Sequence, residues 1–481
     1  MNMINADVIY AIIAIVIPLV ELLGILTAVH AVMNARTSQG AIAWAISLVT
    51  FPWLALALYA IFGRNKFHGY VLLRSSKDLD IQHFINKIQA EAAAKELIWE
   101  DLSESERALT RLADMPVTCY NKSRLLIDGQ ETFRSIFEGI ESAERYILLQ
   151  FFIVKDSAVG RELQSKLIQK AGENIKVYFL YDEIGSHKLP ENYLRDMQIA
   201  GIVTSAFHTT KGKTNRFQLN FRNHRKIVVV DGKIAYVGGH NVGDEYLGKH
   251  PKFGAWRDTH VKIEGPTVQF IQFCFVEDWY WATKGIPELN WEPCRAADGR
   301  EKALVIASGP ADRLETCGLM FVQAINEARE RVWIASPYFV PDLQILSALK
   351  LAALRGVDVR ILLPEKADHR TVYLASFSYY QNTLPLGIKI YRYTAGFMHQ
   401  KVFLIDSRCA AVGTANLDNR SFRLNFEITL LNYDSFFIKE VETMLSNDFA
   451  RSQPATMDDY IRRSFLFKLA VRSARLLAPI L

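Results

Sequence analysis

Apolar residues are spread unevenly along this 481-residue chain, and two long apolar runs, 8–33 and 42–62, open it. Pro18, Glu21 and His30 interrupt the first; the second carries no charged residue. As a helix, each is long enough to cross a hydrocarbon core of about 30 Å, so the pattern predicts a transmembrane helical hairpin over 1–66. Pro18 is a candidate helix break, and Glu21 and His30 read as residues near the interface rather than intramembrane contacts. A cleaved signal peptide fits poorly, because the first seven residues hold no Lys or Arg and the apolar stretch is too long. Arg36 alone is basic between the runs, whereas Arg64, Lys66, Arg74 and Lys77 come after the second. The positive-inside rule then puts the rest of the chain in the cytoplasm, on a multi-pass anchor.

Charged, alanine-rich sequence over 67–119 predicts a helical linker. Beyond it, apolar runs of strand length alternate with amphipathic stretches. Strands are expected at 146–154 and 176–181 with a helix at 160–170, and the same succession returns as 331–338 and 357–363 around a helix at 343–355. The chain therefore reads as an internally duplicated α/β protein. Its two pseudo-symmetric lobes, each a mixed sheet flanked by helices, are expected over 120–295 and 296–459. The last stretch, 460–481, mixes Arg462, Arg463, Lys468, Arg472 and Arg475 with Phe465, Leu466, Leu469, Leu476 and Leu477. Two readings stand for it: a membrane-surface helix, or a tail helix docked on the body with its basic face in solvent.

Composition narrows the partners. A net charge of +5 permits attraction to anionic surfaces but lacks the dense basic field usual for nucleic-acid binding. Cys119, Cys274, Cys294, Cys317 and Cys409 are scattered with no CxxC pair, which argues against a disulfide framework or a zinc site and fits a reducing compartment.

The candidate chemistry lies in a stretch that occurs twice, at 224–241 and 399–416. His224 and His399 are each followed, at matching spacings, by a lysine (Lys226, Lys401), an aspartate (Asp231, Asp406), a glycine (Gly238, Gly413) and an asparagine (Asn241, Asn416). A histidine and a lysine two residues apart on a strand share a face. Two such pairs brought together would form a pocket of imidazoles and ammonium groups, with Asn241 and Asn416 adding amide donors. That pocket suits a phosphate whose charge grows in the transition state. One histidine can attack phosphorus and the other can shuttle the proton, roles that an unperturbed imidazole near neutrality would serve. The GKT at 212–214 is no P-loop, since Phe207 stands where the first glycine is required. No carboxylate cluster announces magnesium, so a phosphodiester exchange without metal or cofactor is the simplest reading. Asp231-Gly232 also reads as a hairpin turn. Lys211, Lys213, Arg216, Arg222 and Arg225 form either a solvated loop or a headgroup-facing cluster. Trp256, Tyr338 and Phe339 read as core or cleft-wall aromatics, and His240 and His260 as structural.

The doubled H-x-K-x4-D signature with its glycine and asparagine resembles the phospholipase D superfamily, and within it the bacterial cardiolipin synthases. WRDTH at 256–260, PYFVPD at 337–342, GFMHQK at 396–401, NLDNRSF at 416–422 and NFE at 425–427 extend the likeness over nearly the whole chain. The resemblance implies that one phosphatidylglycerol gives its phosphatidyl group to a histidine, releasing glycerol, and that a second attacks to form cardiolipin. It implies His224 as nucleophile and His399 as acid/base, with Lys226, Lys401, Asn241 and Asn416 on the phosphate. Asp258 and Glu427 would orient the histidines, and Asp231 and Asp406 would brace the motif. The second copy has Gly-Thr where the first has Gly-Gly, a change expected to be harmless. Other acceptors, including water, remain open alternatives, and a nucleic-acid phosphodiesterase or an inactive scaffold stands further off. The sequence is silent on oligomeric state.

Overall fold

A computed structural model describes residues 6–63, 66–67, 69–71, 79–207 and 220–481. The expected strands form, with edges moved by a few residues, as Tyr146–Phe151, Lys176–Asp182, Arg331–Ala335 and Asp358–Pro364. The helices between them are Ala158–Gly172 and Leu343–Leu354. Lys211, Lys213 and Arg216 of the basic run, and Arg64, Arg74 and Lys77 of the charge bias, lie outside the described residues.

Among the described residues, the two lobes share one 16-stranded sheet. In the first lobe Thr118–Ile127, Thr259–Glu264, Ile234–Gly238, Ile227–Val230 and Tyr146–Phe151 pair successively antiparallel. Lys176–Asp182 and Val203–Phe207 then add in parallel. The second lobe repeats that order through Glu301–Ser308, Asn425–Asn432, Cys409–Gly413, Val402–Ile405 and Arg331–Ala335. Its parallel strands are Asp358–Pro364 and Lys389–Tyr393. The halves meet where Thr118–Ile127 pairs antiparallel with Glu301–Ser308, so the duplication generates a pseudo-twofold. Each signature is a β-hairpin whose first strand is wholly buried. In the first, Asp231 and Gly232 both take positive φ, 55° and 66°, the primed turn that matches strand twist.

The segment read as a linker is packed rather than free. Its helix Glu104–Ala113 opens on a Ser103–Glu106 capping box and buries Ser105, Leu109 and Ala113.

The N-terminal helices form a separate compact unit. Helix Ala6–Asn34 runs straight through Pro18, which therefore does not break it. Its stretch Ile13–Asn34 is the one segment among the described residues long and apolar enough to cross a membrane. The second apolar run is not a single crossing helix. It splits into Ser38–Thr50 and Pro52–Phe62 at Phe51 (φ −134°, ψ 57°), where Pro52 has no N–H to continue the ladder. The last helix doubles back: the Trp44 and Tyr59 rings lie 5.1 Å apart, and Tyr59 OH meets His30 Nδ1 at 2.9 Å. At 1.5 Å per residue these helices reach about 20 Å and 17 Å, short of a bilayer core. Gly24 permits the close approach, since a Cβ there would sit 2.5 Å from the Leu48 carbonyl oxygen.

Candidate active site

Each signature histidine is fastened to the opposite lobe. His224 N–H donates to the Phe426 carbonyl at 2.9 Å, and its Nδ1 pairs with Glu427 Oε2 at 2.9 Å. His399 N–H donates to the Arg257 carbonyl at 2.8 Å, and its Nδ1 pairs with Asp258 Oδ2 at 2.7 Å. Two short parallel pairings, Asn425–Phe426 with Arg222–Asn223 and Trp256–Arg257 with Phe397–Met398, hold these crossings in register. Every carboxylate thus supports the histidine of the other repeat. With Nδ1 committed, Nε2 of each imidazole is the nitrogen left to react.

The lysines lie beside their histidines. Lys226 Nζ donates to the His224 carbonyl at 2.6 Å. Lys401 Nζ lies 3.0 Å and 3.2 Å from the two ring nitrogens of His399. Burial dominates the protonation of these groups. It pushes the His224 imidazole down to about 4 against the pull of Glu427, and it lowers His399 as well, with Lys401 adding and Asp258 opposing. The expectation of unperturbed histidines near neutrality is therefore corrected: removing an imidazolium from water disfavours it, which suits a neutral, attacking His224, while Asp258 beside His399 is the counter-ion that a charged His399 needs. Burial also pushes Lys226 down to about 7 and Lys401 to about 8. For Glu427 burial would raise the carboxyl, but His224 and Lys226 outweigh it and hold it low. For Asp258 burial is outweighed by His240, Lys401 and His399.

Asp231 and Asp406 occupy the hairpin turns. Asp231 accepts backbone N–H bonds from Glu144, Arg145 and Tyr146 at 2.8 Å each, and Asp406 likewise from Arg329, Glu330 and Arg331. Asn241 bridges the Ile153 N–H and the Tyr246 hydroxyl. Asn416 is buried, and its N–H donates to the Ser421 hydroxyl at 3.0 Å.

Several side chains that matter here carry no signal in the signature alone. Glu427 accepts from the hydroxyls of Thr414 (2.6 Å) and Ser421 (2.8 Å) and from the Asn425 amide (3.2 Å). Thr414 is the residue of the Gly-Thr variation, and the two positions are not interchangeable: at Gly239 in the first copy, a Cβ would stand 2.0 Å from Asp258 Oδ1. Arg225 is neither a solvated nor a headgroup-facing residue. It is fully buried, with Nη1 on Asp278 Oδ2 at 3.0 Å and Nε on the Glu427 carbonyl. In the second lobe Asp448 is held by Arg257 and by Gln400, which stands in Arg225's place. Trp256 walls the cleft, its ring 5.3 Å from that of His399, and His240 and His260 are buried neighbours whose rings lie 5.5 Å apart.

The family model described as "Cardiolipin synthase, PLD-like domain" matches residues 136–260 and 321–449. That described as "Phospholipase D-nuclease N-terminal" matches 22–64. Cardiolipin synthase A of Pseudomonas fluorescens (strain Pf-5) is 48% identical over 468 residues, covering 97% of this chain and 98% of that protein. Cardiolipin synthase A of Pseudomonas aeruginosa (strain LESB58) is 48% identical over 476 residues, covering 96% and 95%. The crystal structure of phosphatidylserine synthase from Haemophilus influenzae, 16% identical, superposes with a TM-score of 0.59 over 79% of this chain and 100% of that one, a likeness of fold.

Proposed function

This chain belongs to the cardiolipin synthase family of phospholipase D-like proteins, and on that premise we propose that it joins two phosphatidylglycerol molecules through a phosphohistidine. In this reading His224 Nε2 attacks the phosphorus of the first lipid while Glu427 holds its Nδ1–H. The bond from phosphorus to the glycerol oxygen breaks, and that oxygen takes the proton of His399 Nε2, so glycerol leaves neutral. The terminal hydroxyl of a second phosphatidylglycerol then gives its proton to His399. Its oxygen attacks phosphorus, and the N–P bond breaks to return His224 and release cardiolipin. Lys226 and Lys401 hold the non-bridging oxygens, with Asn241 and Asn416 at the ends of the two signatures completing the phosphate site. Asp231 and Asp406 act through the backbone they brace.

The observation that carries this reading is the crossed pairing of two histidines with two carboxylates, each lobe supplying half of each pair. Incubating the full chain with phosphatidylglycerol in mixed micelles plus chelator, and resolving products by mass spectrometry, tests it. Cardiolipin with an equal amount of glycerol is expected. Phosphatidic acid alone would mark a phospholipase, and no turnover would move the assignment to a nuclease or a scaffold.

The chain is membrane-associated through its N-terminal apolar helix, and we infer one crossing followed by a hairpin that enters and leaves on the same side. Arg36, Arg64, Lys66, Arg74 and Lys77 then all fall on one side, opposite an N-terminus with no basic residue in its first seven positions. That sharper asymmetry supports a cytoplasmic location for both catalytic lobes, at a bacterial inner membrane.

A further inference from the structure

The C-terminal helix Phe465–Leu476 docks on the body along one side and leaves apolar residues exposed on another. One side docks it: Val471 and Ala474 are buried, and the Phe467 ring meets that of Phe377 at 5.4 Å. Its end is tied down, since the Arg420 N–H donates to the Leu481 carbonyl at 3.0 Å and Arg420 Nη1 to that of Ile480 at 3.1 Å. A different side faces outward. Phe465 is 77% exposed, Leu466 74% and Leu476 81%, with Leu469 and Leu477 exposed beside them. At 100° per residue these five fall within an arc of about 120°. Lys468, Arg472 and Arg475 border that arc and pair with no carboxylate among the described residues. No acidic residue occurs from 460 to 481.

We propose that this outward face, with its basic border, is a seat for the surface of an anionic phospholipid bilayer. Five large apolar side chains in one arc are costly to leave in water. A surface helix that offers an apolar stripe edged by cations, without anions, is complementary to acyl chains beneath negative headgroups. The partner is at hand, because the same chain carries a helix long and apolar enough to cross a membrane. The seat also adjoins the chemistry: Arg420, which holds the C-terminus, precedes Ser421, whose hydroxyl donates to Glu427. This goes beyond the proposed reaction and does not depend on which lipid is the acceptor.

The test uses the full chain, one copy per nanodisc, with Cys294→Ser to remove the exposed thiol and Leu469→Cys carrying an environment-sensitive fluorophore. In phosphatidylglycerol-containing discs the probe is expected to shift to the blue and to be quenched by lipids brominated on the acyl chain, and far less so in phosphatidylcholine discs. Lys468→Gln/Arg472→Gln/Arg475→Gln should remove most of that preference. Leu466→Gln/Leu469→Gln should lower turnover of substrate in bilayers roughly tenfold while sparing turnover in detergent micelles, with an unchanged melting temperature. A water-exposed probe in both discs overturns the seat, whatever the catalytic result. A blue shift without quenching by brominated lipid overturns it in favour of a protein contact.

Discussion

Around His224 the supporting carboxylate, Glu427, is surrounded by donors; around His399 its counterpart, Asp258, is not. Glu427 accepts from Thr414, Ser421 and Asn425 as well as from the imidazole. Asp258 accepts from His399 and from the N–H of its own neighbour Thr259, and Gly239 brings bare backbone against it. Neutral donors spread the charge of a carboxylate and make it a weaker partner for an imidazolium. Pseudo-symmetric halves can therefore do different work: the Glu427 side favours a neutral, nucleophilic ring, and the Asp258 side tolerates one that gains and loses a proton. Charge compensation is divided unequally too. Arg225, next to His224 in the chain, neutralises Asp278, whereas in the other half Arg257, next to Asp258, neutralises Asp448.

The sharpest way to break this comparison is to remove each histidine. His224→Ala and His399→Ala should each lower synthesis by at least about 10⁴-fold, but only His399→Ala should accumulate phosphate on the remaining histidine, read by intact-protein mass spectrometry. A phosphorylated His399 in the His224→Ala protein would reverse the roles. Asp258→Asn should cost about 10³-fold or more in kcat, by leaving the His399 cation without its anion. Glu427→Gln should cost about 10- to 100-fold, an orienting loss. Equal losses would erase the distinction.

Stability separates the two networks. Arg225→Met removes the cation from a fully buried Asp278 and should destabilise the fold by about 3–5 kcal/mol. Gln400→Met leaves Asp448 with Arg257 and should cost about 1 kcal/mol, both measured by chemical denaturation.

The mildest test is pH. The reaction needs His224 neutral and His399 protonated, so kcat/KM should fall as pH drops through about 4 and fall again as His399, held below the usual imidazole value by burial, loses its proton, with a further loss above about 7 to 8 as Lys226 and Lys401 lose their charge. Thr414→Gly copies the first half onto the second. It strengthens Glu427 as an anion, raises the His224 pKa, and should move the acid limb upward by less than about one pH unit with a rate loss of about threefold. An unmoved limb would assign that titration to another group.

Much of this molecule was legible in order along the chain. Apolar runs of strand length, each ending at an aspartate, marked both hairpins, because a buried strand must be apolar and a tight turn must tolerate positive φ. Repetition of His-Lys-Asp-Gly-Asn marked the chemistry and implied two lobes. Local pattern failed at the second apolar run, where hydropathy measures length but not direction: Pro52 turns the helix back, and the contacts of Tyr59 with Trp44 and His30 reveal it.

What the sequence by itself determined is the duplicated α/β units and their order; it also nominated the side chains that the proposed phosphodiester exchange would use. Only the tertiary structure decided which carboxylate serves which histidine, because the lobes meet edge to edge through Thr118–Ile127 and Glu301–Ser308 and exchange partners across that seam. It also sets how readily the groups of the site take up charge. Burial, a property of the whole fold rather than of any segment, lowers both histidines and both lysines.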